Sequence, residues 1–238
     1  MKFCIFAYDF PHKKTNSFMR AMARIIKEDI VVIAAPYVEI PQPDRLIYWS
    51  EKLISTNPKD VAEKLDISYI HCKHELCVPI LEEEKPDIGV IAGAQILPKE
   101  VIERFPVGVV NFHNGILPIN RGLDCLKWAV HDGLPQGVTA HLINERIDAG
   151  KCLETEVVSV WPNDGFADIS DRLFEAQRKL LKVVVSTYKS DPNRYSHTVD
   201  LIGGKPHGRM PPGTEIETLE RFLEYKQHYA DIRGEWCP

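Results

Sequence analysis

The sequence predicts an α/β fold: a Rossmann-like, mostly parallel sheet flanked by helices, followed by a small C-terminal appendage. Two observations lead to this prediction. Short apolar runs without polar alternation recur along the first half of the chain, as expected for strands buried on both faces of a parallel sheet. Amphipathic segments separate these runs, as expected for crossover helices. A length of 238 residues suits one large domain with an appendage, which we place at residues 1–190 and 191–238.

Strands and helices alternate in the predicted N-terminal half. A strand, a helix and a second buried strand come first, and this order implies a right-handed crossover between parallel strands. A segment rich in proline and aromatic residues follows at 36–58. The predicted elements are, in order, strand Lys2–Tyr8, helix Ser17–Lys27, strand Asp29–Ala35, helix Pro58–Leu65, strand Ile67–Ile70, a helix through Leu81–Glu83 and strand Pro86–Gly93.

The second half of the chain continues this alternation and then changes character. A long amphipathic helix is predicted to pack on the sheet and close the main domain. In the tail, Gly203 and Gly204 favour a turn that joins two short strands into a hairpin. The predicted elements are a short helix near Pro98, helix Gly122–His131, strands Gln136–Ile143 and Cys152–Val160, helix Phe166–Lys189, strand Ser196–Ile202 and helix Thr214–Tyr229.

Composition excludes several classes of partner. The formal net charge of −5 and the lack of a basic run give no reason to expect a nucleic-acid partner. The first apolar run stops at Asp9, too early for a signal peptide, and no stretch is apolar enough for a membrane span. We therefore expect a cytoplasmic protein that binds no membrane, with its six cysteines reduced.

Common cofactors are also disfavoured. The loop after the first predicted strand, residues 9–16, contains no glycine, so a nicotinamide or flavin cofactor is not expected. The cluster His71-Cys72-Lys73-His74-Glu75-Leu76-Cys77 resembles a metal site only superficially. Adjacent side chains of an extended segment point in opposite directions, and no second Cys/His cluster follows, so we expect no metal.

Polar groups at the ends of apolar runs mark the candidate active site. Asn111 and His113 end one run, and because they lie two residues apart in a predicted strand, they face one pocket. A later run leads into Asp148. Ligands of open α/β sheets bind at strand ends, where an amide, an imidazole and a carboxylate form a plausible catalytic set.

The ordered motifs of this region resemble those of the folate-dependent formyltransferases. The motifs are Asn111-Phe112-His113, Leu117-Pro118, Arg121-Gly122, the strand from Gly137 to His141, and Asp148-Ala149-Gly150. The family includes enzymes that act on glycinamide ribonucleotide, on methionyl-tRNA and on nucleotide-linked amino sugars. One departure is Asn114, where many members have serine.

The resemblance implies N10-formyltetrahydrofolate as formyl donor and specific roles for individual residues. Asn111 and His113 would stabilise the oxyanion and handle the proton, and Asp148 would support His113. His113 could donate if protonated or accept the proton of the amine if neutral, and His141 is expected to be a support residue. The residues expected to border the donor are Ile96, Leu97, Asn144 and Glu145.

The expected acceptor is the primary amine of a nucleotide-linked amino sugar. Lys13, Tyr48, Trp49 and Arg121 are candidates for contacts with its nucleotide, although Lys13 could be a solvated helix start and Arg121 could brace its own turn. Glycinamide ribonucleotide is disfavoured by the first loop, and methionyl-tRNA by the net charge and the tail. The sequence identifies neither the sugar nor the nucleotide.

Three alternatives remain open. One is hydrolysis of formyltetrahydrofolate, although such hydrolases carry an additional N-terminal domain and this chain opens with its first predicted strand. Another is formyl transfer to a different small amine. The third is a non-catalytic folate-binding module, which would have no chemical requirement for Asn111, His113 and Asp148 together. The apolar tail helix is also a possible homodimer contact.

Overall fold

An eight-stranded sheet organises the residues that the computed structural model describes, which are 1–26, 29–38, 44–48 and 55–230. Two further strands form a small second sheet. The strands are β1 (Phe3–Tyr8), β2 (Ile30–Ala35), β3 (Ser68–His71), β4 (Ile88–Ile91), β5 (Gly108–His113), β6 (Arg121–Gly122), β7 (Gly137–Leu142), β8 (Gly150–Val157), β9 (Asp200–Leu201) and β10 (Pro206–His207).

The order of the large sheet is β3-β2-β1-β4-β5-β7-β8-β9. The first five strands in this order, β3 to β5, run parallel to one another. The remaining strands β7, β8 and β9 each pair antiparallel with the strand before them in the order. Every residue of β2 is buried, which explains its unbroken apolar sequence. The predicted fold class, a mostly parallel α/β sheet, is confirmed.

Helices cover both faces of the sheet. On one face, helix α1 (Lys13–Ile25) packs against the long helix α6 (Phe166–Ser190), and side chains such as Phe18 and Leu173 join the main core. On the other face, Leu81, Val101 and Phe105 form a second cluster. The helices are α1 (Lys13–Ile25), α2 (Pro58–Leu65), α3 (Val78–Glu84), α4 (Lys99–Ile102), α5 (Cys125–Asp132), α6 (Phe166–Ser190) and α7 (Pro212–Ala230).

The first helix begins four residues earlier than the sequence predicts. The side chain of His12 caps it, because Nδ1 accepts the amide hydrogen of Thr15 at 3.3 Å. Histidine is not among the residues preferred at this position, so sequence preferences missed the start. The earlier start puts Lys13 and Lys14 in the first helical turn, at the carboxyl edge of the sheet.

The tail does not form the predicted hairpin. β9 pairs antiparallel with β8, whereas β10 pairs in parallel with β6, so the two short strands have different partners. The side chain of Glu215 in α7 is fully buried and accepts hydrogen bonds from Lys127 and from the amide of Ile47. The division into domains at residue 190 stays a prediction.

Among the described residues, none of the helices combines the length and the apolar character that a membrane span needs.

Candidate active site

A crevice opens at the carboxyl edge of the sheet between β4 and β5. The two strands pair only as far as Val90 and Val110. Beyond that point β4 leans toward β1, because the amides of Ala92 and Gly93 both donate to the carbonyl oxygen of Phe6 at 2.9 Å. Ligands of open α/β sheets bind outside the carboxyl ends of the strands. The crevice is therefore the natural place for a site.

The last residues of β5 carry Asn111 and His113 to this edge. Their spacing of two puts both side chains on one face of the strand. In the antiparallel partner β7, His141 lies opposite Asn111 and Thr139 lies opposite His113. The Thr139 hydroxyl donates to the carbonyl oxygen of Gly115 at 2.9 Å, which supports the chain directly after His113.

The turn before β8 brings Asp148 to His113. The carboxylate Oδ1 lies 3.2 Å from His113 Nδ1, and Oδ2 accepts the amide of Gly122 at 2.8 Å. Asp148 has a φ of 45°, a left-handed conformation that is uncommon outside glycine. Arg121 stabilises this turn, since its Nε donates to the carbonyl oxygen of Ile147 at 3.2 Å.

Both ring nitrogens of His113 face acceptors. Nδ1 faces Asp148, and Nε2 lies 2.9 Å from the carbonyl oxygen of Asn120. A neutral imidazole has one N–H, so only the imidazolium can donate to both. Burial lowers the pKa of His113, but the contact with Asp148 and a second contact, between Nε2 and the Cys125 sulfur at 3.4 Å, together outweigh burial and raise the pKa to about 10.

The same contact acts in reverse on Asp148. Burial raises the pKa of its carboxyl, but the hydrogen bond from His113 dominates and holds the pKa below its ordinary value. The two residues therefore form an imidazolium–carboxylate pair near neutral pH. Of the two roles that the sequence left open for His113, this geometry favours the protonated one.

His141 orients the side-chain amide of Asn111. Its Nδ1 donates to the carbonyl oxygen of Ala149 at 3.0 Å, and its Nε2 lies 3.4 Å from Asn111 Nδ2. Burial and the charge of His113 lower the pKa of His141 to about 4, so the ring is neutral and Nε2 accepts. In the described part of the chain the second amide N–H of Asn111 has no acceptor, and it is available to a ligand.

A cleft of about 270 Å³ adjoins His113 on the side of α5 and α6. Its lining includes Asp124 and Lys127, which sequence analysis did not single out. Lys127 is 3% exposed, and its Nζ lies 3.0 Å from Asp124 Oδ2 and 2.5 Å from Glu215 Oε1. No local pattern signals this network, because Glu215 comes from the distant tail helix. The tail therefore supports one wall of the cleft.

The residues predicted to border the formyl donor lie on two loops that meet in the core. Leu97 is 5% exposed and packs in the same cluster as Ile143, whereas the neighbouring Ile96 is 79% exposed. The Asn144 side chain caps its own loop by accepting an amide two residues further on, at 2.9 Å. Glu145 is exposed. Their role in donor binding stays a prediction.

The residues predicted to contact the nucleotide are only partly placed. Lys13 pairs with Asp171 at 3.0 Å, and Arg121 donates to backbone carbonyls of the Asp148 turn and the tail. Tyr48 is 79% exposed, and Trp49 lies outside the described residues. The bracing role that the sequence allowed for Arg121 accounts for its contacts, and nucleotide binding by these four residues stays a prediction.

Gly150 shapes the exit from the Asp148 turn, and we expect its replacement to be costly. Its φ is +103°, and a Cβ there would lie 2.0 Å from the carbonyl oxygen of Leu142. Gly150→Ala should therefore lower the free energy of unfolding by about 3 kcal/mol or more, from backbone strain and overpacking together.

Gly133 offers a matched control for this substitution. Its φ is +66°, but a Cβ there meets nothing within 4 Å. Gly133→Ala should cost only the left-handed penalty of about 1–2 kcal/mol. Denaturant unfolding of both variants measures the difference, and equal losses would contradict the close approach at Gly150.

Comparison with known proteins places the chain in a family. A family model described as formyl transferase matches residues 12–185. A methionyl-tRNA formyltransferase of Syntrophus aciditrophicus is 32% identical over 147 residues, which are 60% of this chain and 47% of that protein. Another, from Pelobacter propionicus, is 30% identical over 196 residues, covering 79% of this chain and 56% of that protein. The chain spans about half the length of the curated relatives it matches.

Solved structures share the fold at lower identity. A sugar N-formyltransferase from a Shewanella species has a TM-score of 0.63 at 20% identity, covering 94% of this chain and 88% of that one. A phosphoribosylglycinamide formyltransferase from Anaplasma phagocytophilum has a TM-score of 0.61 at 18% identity, covering 79% and 87%. Formyl transferases of this family use N10-formyltetrahydrofolate as the formyl donor. With a family match over residues 12–185 and the shared fold, the chain belongs to the formyl transferase family.

Proposed function

We propose that the protein transfers a formyl group from N10-formyltetrahydrofolate to the primary amine of a nucleotide-linked amino sugar. The observation that carries this proposal is the contact of the two His113 ring nitrogens with Asp148 and the Asn120 carbonyl, which favours the imidazolium at the same edge of the sheet as the amide of Asn111. A fixed positive charge beside a free amide donor suits a reaction in which an oxygen becomes negative.

Each of the three residues has a distinct part in this reaction. Negative charge develops on the formyl oxygen as the amine attacks the formyl carbon. The free N–H of Asn111 donates to that oxygen, while the buried imidazolium of His113 stabilises the charge through a low-dielectric environment. Asp148 keeps His113 protonated and, through the Gly122 amide, keeps its own turn in place.

The two loops carrying Ile96, Leu97, Asn144 and Glu145 suit the formyl donor. When bound, N10-formyltetrahydrofolate supplies a formyl group on a tertiary nitrogen that can depart. The loops converge through the packed side chains of Leu97 and Ile143. Residues that are partly or fully exposed flank this contact on both loops, so backbone groups there can pair with the edge of a planar heterocycle.

Two observations support an amino-sugar acceptor over the other substrates of the family. A sugar N-formyltransferase structure and a second one described as a likely sugar N-formyltransferase match 93–94% of this chain, whereas the phosphoribosylglycinamide formyltransferases match 79–82% of it. The net charge of −5 disfavours an RNA acceptor. We expect the acceptor to enter by the cleft beside His113, whose wall the tail supports through Glu215.

The test is release of tetrahydrofolate from N10-formyltetrahydrofolate, measured by chromatography with different acceptors. The panel contains UDP- and dTDP-linked 3- and 4-amino sugars, glycinamide ribonucleotide, methionyl-tRNA and a reaction without acceptor. We expect turnover with one class of amino sugar. Turnover with methionyl-tRNA or glycinamide ribonucleotide alone would overturn the acceptor, and equal turnover without acceptor would replace transfer by hydrolysis. Donor binding without turnover would favour a non-catalytic folate-binding module.

A further inference from the structure

Lys14 brings an amino group to the strand segment that carries the candidate catalytic residues. It lies in the first turn of α1, and its Nζ donates to the carbonyl oxygen of Phe112 at 3.2 Å. Phe112 is the residue between Asn111 and His113. The lysine side chain therefore ends beside the backbone that holds both of them.

The Phe112 carbonyl points into the crevice, which explains why a side chain can reach it. Successive carbonyls of a strand alternate in direction. The carbonyl of Val109 accepts the amide of Ile143 on the β7 side, so the carbonyl of Phe112, three residues on, faces β4. Pairing with β4 has ended at Val90, and Lys14 fills the gap that it leaves.

The amino group of Lys14 retains capacity for a further partner. An ammonium has three hydrogens to donate, and Phe112 takes one of them. The centroid of the Phe18 ring lies 5.2 Å from Nζ. Burial lowers the pKa of Lys14 to about 8, although the carboxylate of Asp148 opposes the shift. Part of the population is consequently neutral near neutral pH.

The other titratable groups of the site are poor proton acceptors. Both nitrogens of His113 act as donors, and the carboxylate of Asp148 is bound to His113 and to the Gly122 amide with a lowered pKa. The pKa of His141 is about 4, and its Nε2 already faces Asn111. A base works best when its pKa lies near the working pH, and none of these three groups meets that condition.

We propose that Lys14 is a further catalytic residue of the proposed formyl transfer, the base that receives the proton of the attacking amine. This inference rests on the proposed function. The amine nitrogen forms a bond to the formyl carbon, and the bond from that carbon to N10 breaks. The neutral Nζ of Lys14 takes the proton that the amine nitrogen loses and releases it to water, and N10 takes a proton from water.

Titratable groups lie on the elements next to this base, and one of them acts on its charge. The carboxylate of Asp148 favours the protonated form of Lys14. His12 lies at the start of the same helix. Burial and the charge of Lys14 lower the pKa of His12 to about 4, so the ring of His12 is neutral. From α6, Asp171 pairs with the adjacent Lys13 at 3.0 Å. Of these groups, Asp148 is the one whose charge raises the pKa of Lys14.

The test compares Lys14→Arg and Lys14→Met with the exposed control Lys59→Arg. Arginine keeps the positive charge and a hydrogen-bond donor for the Phe112 carbonyl, but it stays protonated around pH 8 and cannot accept a proton there. With the amino-sugar acceptor found for the wild type, we expect both Lys14 variants to lose about 10²-fold in kcat/KM and to lose the rise of kcat/KM toward pH 8. Lys59→Arg should keep the wild-type profile.

A second readout does not depend on turnover. In an NMR titration of ¹⁵N-labelled lysine side chains, the signal missing from Lys14→Arg should titrate near 8 in the wild type. Wild-type rates or an unchanged pH profile in Lys14→Arg would overturn the role as base, as would an ordinary pKa for that signal. Failure of the wild type to transfer formyl to any acceptor would instead overturn the proposed function.

Discussion

The His113→Ala variant is expected to turn over about 10²–10³-fold more slowly than the wild type, the usual cost of removing one stabilising group from an oxyanion site. The dissociation constant of the formyl donor should change little, because the donor contacts are proposed for Ile96, Leu97, Asn144 and Glu145 and not for His113. His113 supplies charge that matters only once the formyl oxygen becomes negative. The effect should therefore fall on kcat and leave binding intact.

The exposed His197 provides the matched control for this substitution. His197→Ala should keep wild-type kcat and KM, and the unfolding midpoints of both variants show whether the fold is retained. Steady-state kinetics with the acceptor found in the panel gives kcat, and equilibrium titration gives donor affinity. A His113→Ala variant that binds donor weakly yet retains kcat would contradict the electrostatic role.

The Asp148→Asn variant tests the other half of the ion pair, and we expect a loss in kcat of about 10²-fold. Asparagine keeps the size of the side chain but removes the charge that raises the pKa of His113. Without Asp148, the pKa of His113 should fall, because burial lowers it and only the contact with the Cys125 sulfur remains to raise it. The variant loses the cation of the site without losing the histidine.

The pH dependence of Asp148→Asn follows in sign from the two shifts. In the wild type, the pKa of His113 is raised. The contribution of the pair to the free energy of unfolding is therefore complete below the ordinary histidine pKa of about 6.5, and it is lost as pH rises through about 10. The pKa of Asp148 is lowered, so at the acidic end the contribution of the pair is lost only as pH falls below the ordinary range of a carboxyl group and through this lowered pKa. The rate of the variant relative to the wild type should increase as pH is lowered and His113 regains its proton, whereas a constant ratio would contradict the mechanism.

The sheet and the shared face of the candidate catalytic residues Asn111 and His113 follow from short-range features of the chain. Unbroken apolar runs such as β2 predict a buried parallel strand because each face of the strand meets a helix. The spacing of Asn111 and His113 predicts a shared face, because alternate residues of a strand point to the same side. Strand burial and the shared face depend on the periodicity of apolar residues and on where the apolar runs end, and both can be read from the sequence.

Features that depend on distant contacts could not be predicted. The Lys127–Glu215 pair joins helices far apart along the chain, so neither residue looks different from a solvated charge. The two tail strands pair with the open edges of β8 and β6, so their partners do not depend on Gly203 and Gly204, which connect the two tail strands. The protonated state of His113 depends on the carbonyl of Asn120 as well as on Asp148.

The guanidinium of Arg121 bonds two parts of the chain that are remote in sequence. It donates to the carbonyl of Ile147 in the Asp148 turn and, at 2.8 and 2.9 Å, to the carbonyls of Gly203 and Gly204 in the tail. Local unfolding proceeds in cooperative units, and groups that share their hydrogen bonds open together. We therefore expect the tail and the turn to open together, so that fraying of the tail loosens the turn that holds Asp148 against His113.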